Sequence, residues 1–164
     1  MRTEWLPEGG AGVITSKGAS GGVTLPKGVE VACERVHRLP CHRRSAGVAR
    51  LLLREFLAGL EGGELYVDVG ELLLSELVTN AVEHACVSPS IAVQFGVAVG
   101  RLRIEVHDAS CERPEVRPLR DGDDESGRGL PLVQSLAVAW GCCPRPGGAG
   151  KFVWAHVGPA EGAS

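Results

Sequence analysis

The sequence predicts an α+β fold, a two-layer α/β sandwich with a mixed sheet and its helices on one face. Two adjacent runs, Ile91–Val99 and Leu102–Asp108, alternate and are rich in β-branched residues. The short Gly100-Arg101 step between them reads as a hairpin turn. The stretch from Glu71 to Ala85 instead repeats with helical period, placing Leu73, Leu74, Leu77, Val78, Ala81 and Ala85 on one apolar face. Strands and helices therefore mix without strict alternation, and the strands pair as hairpins. That pattern favours helices packed on one side of a sheet over a doubly wound parallel core.

Taken in chain order, residues 1–30 are rich in Gly, Ser and Pro and lack periodicity, as in Gly18-Ala19-Ser20-Gly21-Gly22. This composition predicts a disordered tail ahead of one domain at 31–164. A short strand is expected near Val31–Leu39. Ser45 is a candidate N-cap for a helix carrying Val48, Leu51, Leu52, Phe56 and Leu60, with Gly62-Gly63 closing that unit. The long helix starts around Asp68, and the hairpin follows it. A helix opens at Gly127-Arg128-Gly129-Leu130, and a turn-rich link from Gly141 to Gly150 joins the last two strands. There is no internal repeat.

The long helix carries a chemical row. Glu76, Asn80 and His84 stand at i, i+4 and i+8, so they stack along one edge. A carboxylate one turn before a carboxamide suits a proton acceptor beside Mg²⁺, which takes hard oxygen ligands and shares them with substrate phosphates. Asp108 closes the second hairpin strand, where a carboxylate could accept a hydrogen bond from an exocyclic amine. An isolated Asp is more often a turn residue. The acidic stretch Asp121–Glu125 leads into Gly127-Arg128-Gly129, which opens a helix. Helix N-termini offer unpaired N–H groups to phosphates, and glycines permit close approach. The dinucleotide fingerprint does not apply, because no strand runs into these glycines and the third glycine is absent.

Composition bounds the function. The 164 residues fit one domain, 44% hydrophobic and 23% charged. A net charge of −3 gives no basic footprint for nucleic acid. No apolar run reaches the roughly 20 residues of a membrane span, and no signal core follows Arg2, so a cytoplasmic protein is expected. Cys33, Cys41, Cys86, Cys111, Cys142 and Cys143 form no C-x2-C pair, and free thiols are expected for them. Cys33, His37, Cys41 and His42 cluster, but the second pair that a zinc site needs is missing.

The order of the boxes is more specific than any one of them: Glu-x3-Asn on a helix, Asp after a strand, Gly-x-Gly before a helix, then Gly150-Lys151-Phe152-Val153-Trp154. This order resembles the GHKL (histidine kinase-like) ATPase superfamily, with its Bergerat-type ATP-binding fold. Ser75–Ala85, Gly127–Val133 and the closing Trp140-Gly141 resemble its small stand-alone branch of anti-sigma-factor serine kinases. The resemblance covers residues 35 to 158 or so.

The resemblance implies a serine/threonine protein kinase that binds ATP and Mg²⁺, phosphorylates an antagonist protein and regulates a sigma factor. It allows a homodimer and calls for neither nucleic acid nor membrane. Asn80 would ligate Mg²⁺, Glu76 would be the general base, and Asp108 would receive the adenine amino group. Gly127, Arg128, Gly129 and Leu130 would belong to the phosphate lid, and His84, at the end of the helix row, would take either a structural role or a cofactor-binding one facing the phosphates. Phosphoryl transfer asks mainly for positioning and charge stabilisation, which suits so sparse a set. The runner-up is a non-catalytic module of the same fold that senses ATP or ADP and holds a partner; Glu76 favours the kinase, since a pure binder needs no base.

Two departures from the family pattern stand out. Ala109-Ser110 follows Asp108 where many relatives have glycines. Many relatives also have a Thr in the last strand, and Phe152 is read as occupying that neighbourhood, either in the core or altering the adenine pocket. The segment Pro114–Gly129 is expected to be the least stable part without ligand and to be ordered by ATP.

Overall fold

The computed structural model describes residues 13–14, 32–114 and 129–161. The elements follow as β1 (Val13–Ile14), β2 (Ala32–Pro40), α1 (Ser45–Ala58), a 3-10 turn (Gly63–Tyr66), α2 (Val67–His84), β3 (Ser90–Ala98), β4 (Arg101–Asp108), α3 (Gly129–Leu136), β5 (Ala139–Pro144) and β6 (Lys151–Val157). One sheet runs in the order β1-β5-β6-β4-β3-β2. Each described pairing is antiparallel, so the parallel pair that a mixed sheet requires does not occur among the described residues.

Alternation along the strands divides the sheet into two faces. Ile91, Val93 and Phe95 of β3, Leu102, Ile104 and Val106 of β4, and Val153, Ala155 and Val157 of β6 are buried on one of them. They form a single core with Leu53 and Leu57 of α1, Leu73, Leu74, Leu77 and Val78 of α2, and Val133 of α3. The helices thus cover one face, as the amphipathic pattern predicts. The other face carries Arg103, Glu105, His107, Phe152, Trp154 and His156, with Arg103 over the Trp154 ring at 4.9 Å.

α1 fastens α2 in place. Arg54 pairs with the Glu71 carboxylate through Nε, and its Nη2 donates to Glu71 Oε2 at 2.8 Å. Arg50 Nη1 donates to Ser75 Oγ at 3.0 Å, and Ser75 Oγ donates to the Glu71 carbonyl at 2.7 Å. Gly70 adds a close approach to the sheet, since a Cβ there would come within 2.9 Å of Leu102. The residue beside Glu76 is thereby held in both position and rotation.

Several local expectations change. Ser45 is the first residue of α1 rather than its N-cap; Arg44 is the cap, and Ser45 Oγ donates to the Pro40 carbonyl at 2.6 Å. The hairpin turn is Val99-Gly100, one residue earlier than read, with φ of 54° and 66°. Two consecutive positive φ values match the twist of the flanking strands. β5 extends to Pro144, which shortens the last link to residues 145–150. Val13–Ile14, inside the expected tail, adds a strand to the β5 edge. Free thiols hold for Cys111, Cys142 and Cys143, but Cys41 and Cys86 are joined in a disulfide with Cα atoms 6.0 Å apart. Those two cysteines are 45 residues apart in sequence, and the Cys41 N–H bond to the Pro89 carbonyl at 2.9 Å shows how the fold brings their loops together.

Candidate functional site

The candidate site lies along the seam between α2 and the ends of β4 and β6, with the start of α3 beside it. α2 packs on β4 and β6 and also contacts α3. Glu76 is half-buried on α2. Burial, reinforced by repulsion from Glu83, pushes its carboxyl above the usual glutamate value. A Cβ added to Gly129 would lie 2.8 Å from Glu76 Oε2. Glycine at the first position of α3 therefore lets that backbone rest against the carboxylate. Asn80 is half-buried one turn further on. His84 closes the row in solvent: its side chain is 62% exposed, with Nε2 4.0 Å from Glu83 Oε2.

The second cluster is enclosed. Asp108 ends β4 on the buried face, its side chain 2% exposed. Its Oδ1 accepts from the Ser110 backbone N–H at 2.8 Å and from Lys151 Nζ at 2.9 Å. Lys151 also donates to the Ser110 carbonyl at 3.4 Å, and its side chain is 7% exposed. The β4–β6 register sets Lys151 directly opposite Asp108. Gly150 makes this approach possible: its φ is +108°, and a Cβ there would meet the Asp108 carbonyl at 2.2 Å.

Lys151 is the residue that sequence reasoning missed. Phe152 is neither in the core nor beside Asp108; it stacks on His107 across the outer face at 5.0 Å. The signal lay in the alternation of the last strand, where 151, 153, 155 and 157 share the buried side. Leu130 is buried in the core beneath α3. Gly127 and Arg128, with most of the Pro114–Gly129 segment, lie outside the described residues.

Among the described residues no three His, Cys, Asp or Glu side chains gather to hold a metal. A lone carboxamide at Asn80 fits a cation bound through one protein ligand and substrate phosphates rather than a protein cage. The buried carboxylate of Asp108 fits a base amino group, since Oδ2 accepts no hydrogen bond among the described residues. No described helix is long and apolar enough to cross a membrane.

An antiparallel sheet covered on one face by three helices, with these residues at its seam, defines an ATPase-type α+β sandwich. A family model described as the histidine kinase-like ATPase domain matches residues 39–154, and the chain belongs to that family. No curated protein matches it. Among solved structures, it is similar to the RsbU and RsbW domains of Rv1364c from Mycobacterium tuberculosis, with a TM-score of 0.56 and 21% identity. That match covers 81% of this chain and 35% of the other, so this chain spans about a third of that protein's length. At such identity the match establishes the fold.

Proposed function

We propose that this domain, residues 31–164, is a cytoplasmic ATP-dependent serine/threonine protein kinase of the anti-sigma type. The observation that carries the reading is Glu76: a half-buried carboxylate of raised pKa, set against the first backbone turn of α3. A base tuned upward toward neutral pH accepts a hydroxyl proton more effectively than an ordinary glutamate. Glu76 takes the proton of the attacking Ser or Thr hydroxyl. Asn80 would supply the protein ligand to Mg²⁺, Asp108 would receive the base, and Gly127, Arg128 and Gly129, with the backbone of Leu130, would hold the phosphates. Bound Mg·ATP supplies the phosphoryl group.

The Ser75–Ala85 and Gly127–Val133 stretches support the anti-sigma branch, and the likeness to a structure containing an RsbW domain agrees with it. On this reading the partners are a sigma factor and the antagonist protein whose phosphorylation frees or restores the complex. The test is incubation with γ-labelled ATP and small antagonist-like proteins, together with calorimetry of Mg·ATP binding. Transfer of label to a Ser or Thr, and weakened Mg·ATP binding by Asn80→Ala, are the expected results. Binding without any transfer would replace this reading with the nucleotide-sensing module; no binding by the folded wild type would end both.

A further inference from the structure

The Asp108–Lys151 pair has more chemistry than holding β4 to β6. A carboxylate oxygen has two lone pairs, and Asp108 Oδ1 spends both, on Ser110 N–H at 2.8 Å and Lys151 Nζ at 2.9 Å. Among the described residues nothing donates to Oδ2, which is left to accept from a ligand. The Lys151 ammonium has three N–H groups. One goes to Asp108 and one, at 3.4 Å, to the Ser110 carbonyl. The third meets no acceptor among the described residues and is left to donate. The register sets Lys151 opposite Asp108, and the Nζ–Oδ1 bond holds the ammonium on the same carboxylate that carries Oδ2. Both side chains are almost wholly enclosed, so any polar ligand atom meeting them must be matched or left unsatisfied.

We propose that Lys151 is a base-reading residue: its ammonium donates directly to adenine N1 while Asp108 Oδ2 accepts from the adjacent amino group. This rests on the adenine-nucleotide reading above and adds the residue that sets its specificity. Adenine presents one amino donor next to one ring acceptor, matching one acceptor next to one donor. Guanine presents two adjacent donors, N1–H and the 2-amino group, and a carboxylate reads them best with both oxygens. Here Lys151 and Ser110 have already claimed Oδ1. Where adenine offers the N1 lone pair to Lys151, guanine offers N1–H, a donor facing a donor, and Lys151 thus selects against guanine as well as for adenine.

The test uses the wild-type protein first, with ADP, 1-deaza-ADP (the ring nitrogen replaced by C–H) and GDP as ligands in calorimetry. ADP should bind about ten-fold or more tightly than either other ligand, the range expected for one buried unsatisfied group. In Lys151→Met the ADP preference over 1-deaza-ADP should vanish and the gap to GDP should narrow. Wild type binding ADP and 1-deaza-ADP equally would overturn the proposal without touching the nucleotide reading. Wild type binding none of the three would overturn both. If Lys151→Met does not fold, the wild-type ligand comparison still decides.

Discussion

Glu76 and Asp108 are both carboxylates at the helix–sheet seam, and their surroundings treat them in opposite ways. Glu76 sits half-buried, with no cation paired to it among the described residues, and burial and Glu83 raise its pKa. Asp108 is enclosed and carries its own cation, Lys151 at 2.9 Å, together with a backbone N–H. The first environment makes a carboxylate readier to take a proton. The second makes it a fixed hydrogen-bond acceptor whose charge is already balanced. Residue type is shared; burial and counter-charge divide the labour.

The largest expected effect breaks the Glu76 side of this contrast. Glu76→Gln should keep nucleotide affinity within a few-fold and lose about 10²–10⁴-fold in transfer rate. Single-turnover labelling alongside ADP calorimetry separates the two. The wild-type rate should also fall with acid through an apparent pKa above that of a free glutamate, because the base must be ionised to act. A wild-type rate in Glu76→Gln would refute the role.

Next in size is the Asp108 side. Asp108→Ala would leave the Lys151 ammonium buried without its partner, which costs about 3–5 kcal/mol of stability. Denaturant unfolding should show this loss, whereas Glu76→Gln should unfold near wild type. Equal losses in the two variants would mean that the ion pair is not what distinguishes the two sites.

Much of this arrangement was legible in the sequence, and most of what was not has a common cause. The helical period over Glu71–Ala85 and the alternation over residues 91–108 fix α2 and the β3–β4 hairpin, because each depends on local spacing. What escaped depends on register between distant segments. Phe152 and Lys151 are neighbours, and a one-residue error in facing sends either one to the opposite side of the sheet. Only the pairing of β6 with β4 settles that Lys151 meets Asp108. The Cys41–Cys86 disulfide escaped for the same reason, since a search for short Cys spacings is blind to a contact 45 residues apart. Ser45 escaped because its hydroxyl turns back to the Pro40 carbonyl instead of capping α1.

The outer face of the sheet carries a pH-sensitive group remote from both carboxylates. His156 is held down to about 4, first by burial and then by Arg103 and Arg101, against an ordinary value of 6.5. The unfolded chain therefore binds this proton more readily than the folded one. Its contribution to stability is complete above about pH 6.5 and is lost as pH falls toward 4, amounting to about 3 kcal/mol. Unfolding midpoints measured from pH 7 to pH 4 should fall, and His156→Gln should flatten that slope. Because His156 lies across the sheet from the seam, nucleotide affinity at pH 7 should not change. A slope identical in His156→Gln and wild type would exclude this histidine as its source.

The smallest effect tests the two glycines that shape the two carboxylate sites. Gly150→Ala puts a Cβ against the Asp108 carbonyl, 2.2 Å away, at a φ of +108°. Backbone cannot give way cheaply there, and a loss of about 1–3 kcal/mol is expected. Gly129→Ala meets instead the end of a side chain, Glu76 Oε2 at 2.8 Å, at the first position of α3. A side chain can swing aside, and Ala is the better helix former, so stability should stay within about 1 kcal/mol of wild type. The displaced carboxylate is what Gly129→Ala should reveal: slower transfer at nearly unchanged unfolding midpoint. Gly150→Ala should do the reverse, losing stability first. Transfer at the wild-type rate in a folded Gly129→Ala protein would show that the approach of α3 to Glu76 does not set the base in place.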